Sequence, residues 1–176
     1  MTNSDALSAH FRSFSSARLT DAMRQIKRCL TILNEEQVWT RPNDVSNAIG
    51  NLVLHLNGNV SQWVLSGLAG EPDHRDRPSE FAQREPLPVP DIMSQLMSTV
   101  ERACSVIDHL DQERLCQNVI IQGYETTVLG AVYHVVEHFS LHTGQIVYAT
   151  KLFINEELSL YDEHGQRLDG QGHSAP

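Results

Sequence analysis

VLGAVYHVVEHFSLHTGQIVYATKLF, residues 128–153, is the stretch that sets the fold class. Its apolar residues Val128, Ala131, Val132, Val135, Phe139, Ile146, Ala149 and Phe153 recur three or four positions apart, or at multiples of that spacing, the period of a helix with one face in a core. Thr126 or Thr127 stands where such a helix would open. At about 100° per residue, His142 falls inside the stripe, His138 about 40° toward its edge and His134 about 40° beyond that. The inward pair is therefore His138 and His142, while His134 is placed to hold a neighbour rather than to reach the centre.

Other segments repeat the pattern. A first helix, from about Asp5 to Asn34, carries Leu19, Ala22, Met23, Ile26, Cys29, Leu30 and Leu33 at helical spacing. After a loop with Pro42 and Asn43, Ser46 or Asn47 can cap a second helix striped by Ile49, Leu52, Val53, Leu56, Val60, Trp63 and Val64, which stops near Gly67 to Gly70. Pro72, Pro78, Pro86, Pro88 and Pro90 then interrupt a charged stretch, Glu71 to Pro90, that reads as one long surface loop with no core of its own. Asp91 caps a third helix with Ile92, Met93, Leu96, Val100, Ala103, Cys104, Ile107 and Leu110, ending near Leu110 to Glu113. The connection CQNVIIQGYE, residues 116–125, could be extended, but its apolar run is too short to be typed by periodicity.

Long amphipathic segments without strand alternation predict an all-α protein, and its simplest architecture is a four-helix bundle with a long Pro-rich loop between helices two and three. Residues 1–154 then form a single domain and residues 155–176 a polar tail expected to be flexible. The chain has 176 residues, enough to bury a core without disulfides or a structural metal. Thirteen Lys and Arg against 22 Asp and Glu give a formal charge of −9, which repels phosphate backbones and anionic membranes and excludes nucleic acid as the expected partner. Cys29, Cys104 and Cys116 form no CxxC pair and read as buried free thiols. MTNSDALSAHFRSF, residues 1–14, lacks the basic and apolar blocks of a signal peptide, and no stretch reaches bilayer length, so a cytoplasmic setting is expected.

Two imidazoles one helical turn apart can chelate a single transition ion. His138 and His142 have that spacing, and His55, in the apolar run NLVLHLNGN, is the best third ligand because a buried ring must be hydrogen-bonded or ligating. His55 alone would read as a satisfied core histidine; the pair on the last helix tips the reading to metal. His10, His74, His109, His164 and His173 fall at helix ends, in the loop or in the tail. A three-imidazole set accepts zinc or nickel as first expectation and iron or manganese as alternatives. Asn59 and Gln145 could orient ligands, or could make ordinary helix hydrogen bonds. Neither HExxH nor GxSxG occurs, and the one Glu-x-x-His spacing, Glu71 to His74, contains Pro72, which argues against a zincin, an α/β-hydrolase elbow and a di-iron bundle.

NAIGNLVLHLNGN (47–59) and HVVEHFSLHTGQI (134–146) resemble the DinB-like superfamily, whose four-helix bundles carry a divalent metal on three histidines. The likeness extends over about residues 5–153, and RDRPSEF (75–81) looks like the loop of a poorly characterised branch. Residue by residue, the resemblance puts the metal ligands at His55, His138 and His142; Thr143 departs from the basic residue common before the glycine. It implies metal-dependent chemistry on a small-molecule substrate with a low-molecular-weight thiol such as bacillithiol, mycothiol or glutathione, often in a homodimer. A non-catalytic, stress-associated metal-binding dimer and a metal-assisted hydrolase remain open beside that reading.

Overall fold

Burial of one stripe per helix accounts for the long elements of the computed structural model, which describes residues 3–154, 158 and 162–164. α1 (Asn3–Ile32) buries Leu19, Ala22, Met23, Ile26, Cys29 and Leu30. It stops short of Asn34 because that residue caps the next helix. Asn34 Oδ1 accepts from Gln37 N at 2.9 Å and Gln37 Oε1 accepts from Asn34 N at 3.0 Å, a reciprocal box that starts the short α2 (Glu35–Trp39).

α3 (Ile49–Val60) begins after Ala48 rather than at Ser46 or Asn47, because Asn51, inside its first turn, accepts the Ala48 N–H at 3.1 Å. The helix then widens into a π-helical segment, Ser61–Ser66, marked by the Gly67 N–H donating to Gln62 O at 2.9 Å. It ends at Gly70, whose φ of 77° favours a residue without a side chain.

The Pro-rich connection is not one structureless surface loop. Asp76 Oδ1 accepts from Ser79 N at 3.3 Å, Pro78 occupies the first turn, and the two start α4 (Arg77–Ala82), which buries Glu80. α5 (Val89–Asp108) starts after Pro88, ahead of the expected cap Asp91, since a proline in the first turn lacks only an N–H that the helix does not need. Asp111 caps a further short helix, α6 (Gln112–Leu115). The untyped apolar run is a strand: β1 (Asn118–Ile121) pairs antiparallel with β2 (Tyr124–Thr127). Gln122 and Gly123 turn the chain with φ of 54° and 79°, both positive as a two-residue type I′ hairpin requires. Ile121 is buried in this otherwise helical fold. α7 (Val128–Ile154) follows directly.

Side-chain pairings give the helix directions. His55 meets His138 and Trp63 meets His134, so α3 and α7 are antiparallel. Ser16 donates to Asp108 at 2.7 Å and Thr20 lies 3.9 Å from Cys104, so α1 and α5 are antiparallel too. Arg28 Nε donates to Leu158 O at 2.7 Å, bringing the C-terminal ends of α1 and α7 together. α1 and α7 thus run one way and α3 and α5 the other, and the Pro-rich connection returns the chain along the bundle, held at its end by Trp39 Nε1 donating to Leu87 O at 3.0 Å. Ile26, Leu56, Leu96, Ile107, Phe139 and Ile146 form the centre of the core.

Of the cysteines expected to be buried, Cys29 is; Cys104 is partly buried and Cys116 exposed, because it lies beyond the helical stripe at the end of α6. Most of the tail, 155–157, 159–161 and 165–176, lies outside the described residues, as does His173; Leu158 is buried. Among the described residues no helix is long and apolar enough to cross a membrane.

Candidate metal centre

α7 presents His134, His138 and His142 on successive turns, and its inner face of Val132, Val135, Phe139 and Ile146 fixes their direction. α3 brings His55 from the opposite side, 4% exposed among Leu52, Val53 and Leu56. His55 Nε2 and His138 Nε2 are 2.9 Å apart. The ring centroids of His142 lie 5.0 Å from His55 and 4.4 Å from His138. One ligand nitrogen from each of His55, His138 and His142 can be chosen so that all lie within 4.8 Å of one another, a cluster compact enough to surround a transition ion. The three sequence-derived candidates are therefore brought together.

His134 takes the neighbour-holding position expected for it, its ring 4.1 Å from that of Trp63 and 5.5 Å from His138. Gln145 Oε1 accepts from His142 Nδ1 at 2.7 Å, which leaves Nε2 of that ring for the cluster. Asn59 is buried, and its Oδ1 has no hydrogen-bond partner among the described residues. Thr143 is buried as well, with its hydroxyl donating to Phe139 O at 2.7 Å.

Sequence reasoning missed the side chains behind His55. Glu80 Oε2 lies 2.8 Å from His55 Nδ1, and Arg75 grips the same carboxylate through Nε at 2.7 Å and Nη2 at 3.0 Å. Arg75 Nη1 also donates to Gln62 Oε1 at 3.0 Å on the π-helical segment. Phe81 covers His55 with ring centroids 4.7 Å apart. Asn51, fully buried on α3, fastens α4 from below by donating to Glu80 O at 2.9 Å and Gln83 O at 3.0 Å, while its Oδ1 accepts from Arg41 at 2.7 Å. The available signal was the start sequence of α4: an Asp cap with Pro78 in the first turn predicts a helix, and a helix gives Glu80 a face.

Burial, then the neighbouring rings of His142, His55 and His134, push the pKa of His138 down to about 3. His142 is lowered by burial, against the opposing hydrogen bond to Gln145, and His134 is lowered by burial against the pull of Glu137. These rings are neutral near pH 7, the state in which imidazole ligates a metal. Burial works to raise Glu80, but hydrogen bonds from His55 and Arg75 outweigh it and hold the carboxyl below its usual range.

The sequence matches the family described as "Protein of unknown function (DUF1572)" over residues 6–161. No curated protein matches it. In structure it resembles a conserved protein from Enterococcus faecalis, with a TM-score of 0.67 at 17% identity over 82% of this chain and 97% of that one. It also resembles the DinB-like protein YjoA from Bacillus subtilis, with a TM-score of 0.63 at 14% identity over 87% of this chain and 99% of that one. At such identities the likeness speaks for the fold. The chain belongs to the DUF1572 family, a poorly characterised DinB-like branch.

Proposed function

We propose that this DinB-like chain holds one divalent ion on His55, His138 and His142 and acts as a metal-dependent S-transferase, bringing a low-molecular-weight thiol to a small electrophilic substrate. The observation that carries the reading is the convergence of three ligand nitrogens within 4.8 Å on two helices held by the core. An ion bound there, zinc or nickel first and iron or manganese as alternatives, would supply the positive charge that lowers a thiol's pKa and orients its sulfur. The chain's own part is to keep the rings neutral and aimed. Burial disfavours protonation of His138 and His142, and Gln145 fixes the His142 ring. Three uncharged ligands leave a cation's charge uncompensated, so the site favours an anionic partner such as a thiolate.

We read the molecule as a homodimer in the reducing cytoplasm. Supporting this, Leu129, Tyr133, Leu141, Tyr148 and Leu152 expose apolar surface along α7, and the cysteines are free thiols.

Untagged protein purified without a nickel column should contain a stoichiometric divalent ion by elemental analysis, and His55→Ala, His138→Ala or His142→Ala should each lose it. A cobalt-substituted sample should change its visible spectrum and release protons when a physiological thiol is added. Thiols without effect, together with turnover of a hydrolysable ester, would replace the transferase by a hydrolase. Metal with neither response would leave a non-catalytic metal-binding protein.

A further inference from the structure

A buried carboxylate gripped by a buried guanidinium is costly to desolvate and is weak as a device for stability alone. Here the pair is not needed to fasten α4, whose backbone is already tied to Asn51 and Arg41 through Glu80 O, Gln83 O and Phe81 O. What the Glu80 side chain adds is its contact with His55. Glu80 is 7% exposed and the Arg75 side chain 3%, so water does little to screen them.

The contact determines where the His55 proton sits. Both Glu80 oxygens receive hydrogen bonds from Arg75, which identifies the group as a carboxylate, and a carboxylate oxygen 2.8 Å from a ring nitrogen requires a proton between them. Nδ1 of His55 therefore carries the hydrogen and donates it to Glu80. The 3.2 Å approach of Arg75 Nη2 to that nitrogen is the longer contact, and follows from the guanidinium closing over the same carboxylate. Nε2 of His55 is left with its lone pair toward His138.

Packing holds the arrangement from a third side. A Cβ at Gly58 would collide with Glu80 Oε1 and come within 2.9 Å of Arg75 Nε, so the pair lies directly on the α3 backbone where only glycine makes room.

We propose that Glu80, clamped by Arg75, is a positioning residue of the metal site. It locks His55 in the tautomer and orientation that turn Nε2 to the ion, and Arg75 cancels the carboxylate's charge so that the site still attracts an anionic ligand. The proposal rests on the metal reading above, and it makes the Pro-rich connection part of the site. A ligating histidine whose other nitrogen donates to a carboxylate is oriented by it and made a better donor, and loss of such a partner weakens metal about ten- to a hundredfold.

The test has an arm that needs no metal. In metal-free wild-type protein, nitrogen-15 correlation spectra of the histidines should show His55 protonated at Nδ1, and Glu80→Leu should lose that preference with the helical spectrum intact. Protonation of His55 at Nε2 in the wild type would overturn the proposal. In the second arm, cobalt titration should give binding about ten- to a hundredfold weaker for Glu80→Leu. Glu80→Gln, which keeps an acceptor but no charge, should fall between Glu80→Leu and wild type, and Gly58→Ala should reproduce the loss although helix propensity favours alanine. Arg75→Met, which unclamps Glu80 without removing it, should weaken cobalt no more than Glu80→Leu does, and should bind azide more weakly than wild type. Wild-type cobalt affinity in Glu80→Leu, or unchanged azide affinity in Arg75→Met, would overturn the assigned roles. If wild type binds no cobalt, the metal reading fails, while the tautomer result still judges the Glu80 lock.

Discussion

α7 carries His138 and His142 on a helix of 27 residues seated by Val132, Val135, Phe139 and Ile146, whereas α4 carries Glu80 on a helix of 6 residues that buries little else. The first placement is spread over many apolar contacts, none individually decisive. The second depends on a few directional hydrogen bonds, most of them meeting at Asn51, Arg41 and Arg75. Two sides of one cluster are thus held by opposite means. A contact network tolerates the loss of any one polar group, and a hydrogen-bond network does not.

The largest expected effect comes from removing the fastener on the weaker side. Asn51→Ala leaves Glu80 O and Gln83 O without their donor and Arg41 without one of its acceptors, at a fully buried residue. The loss should be on the order of 3 kcal/mol, as expected when several buried partners are orphaned together. A shift in the urea midpoint measures it. A change below about 0.5 kcal/mol, the usual range for surface substitutions, would mean that α4 is not anchored as described.

The same contrast decides what could be read from the amino-acid order. The four long helices and the grouping of His55 with His138 and His142 were legible because burial that repeats every three or four residues leaves a periodic trace. The turn from Ala48 into α3 was misplaced because the capping acceptor, Asn51, lies inside the helix, where it reads as one more polar residue in an apolar run. α4 was missed because its single turn of burial is too short to repeat. Arg75 and Glu80 look like any solvated charges until folding places them on Gly58. The hairpin leaves no periodic trace because its apolar run, Val119, Ile120 and Ile121, is only three residues long and only Ile121 of it is buried.

Acid should separate the two sides in the metal-free protein. His138 in the folded chain is pushed to about 3, below its unfolded value of 6.5, so the unfolded chain takes the proton first. Its contribution to stability is whole above about pH 6.5 and is lost as the pH falls toward about 3. Glu80 has the same sign in a lower window: held below its unfolded value of 4.5, it contributes above that pH and loses the contribution below it. Stability should therefore begin to fall below about pH 6.5 and fall faster below about 4.5. In a denaturation series against pH, Glu80→Gln should remove part of the steeper segment only. If the variant instead abolished the fall between 6.5 and 4.5, the histidine face would not be its source.

The smallest effect is expected at His134, which shares the α7 face with the ligands but not their role. Its ring packs on Trp63 and stacks beside His138, and its burial is partial, so His134→Ala removes a packing surface and leaves the three converging nitrogens in place. Stability should drop by about 1 kcal/mol, the central value for a single substitution, and cobalt affinity by less than about threefold. The comparison with His142→Ala, on the same helix two turns away, is what gives the measurement its force. Loss of cobalt from His134→Ala comparable to that from His142→Ala would move the ligand set one turn along α7. It would also undo the reading in which the inner stripe of that helix selects its ligands.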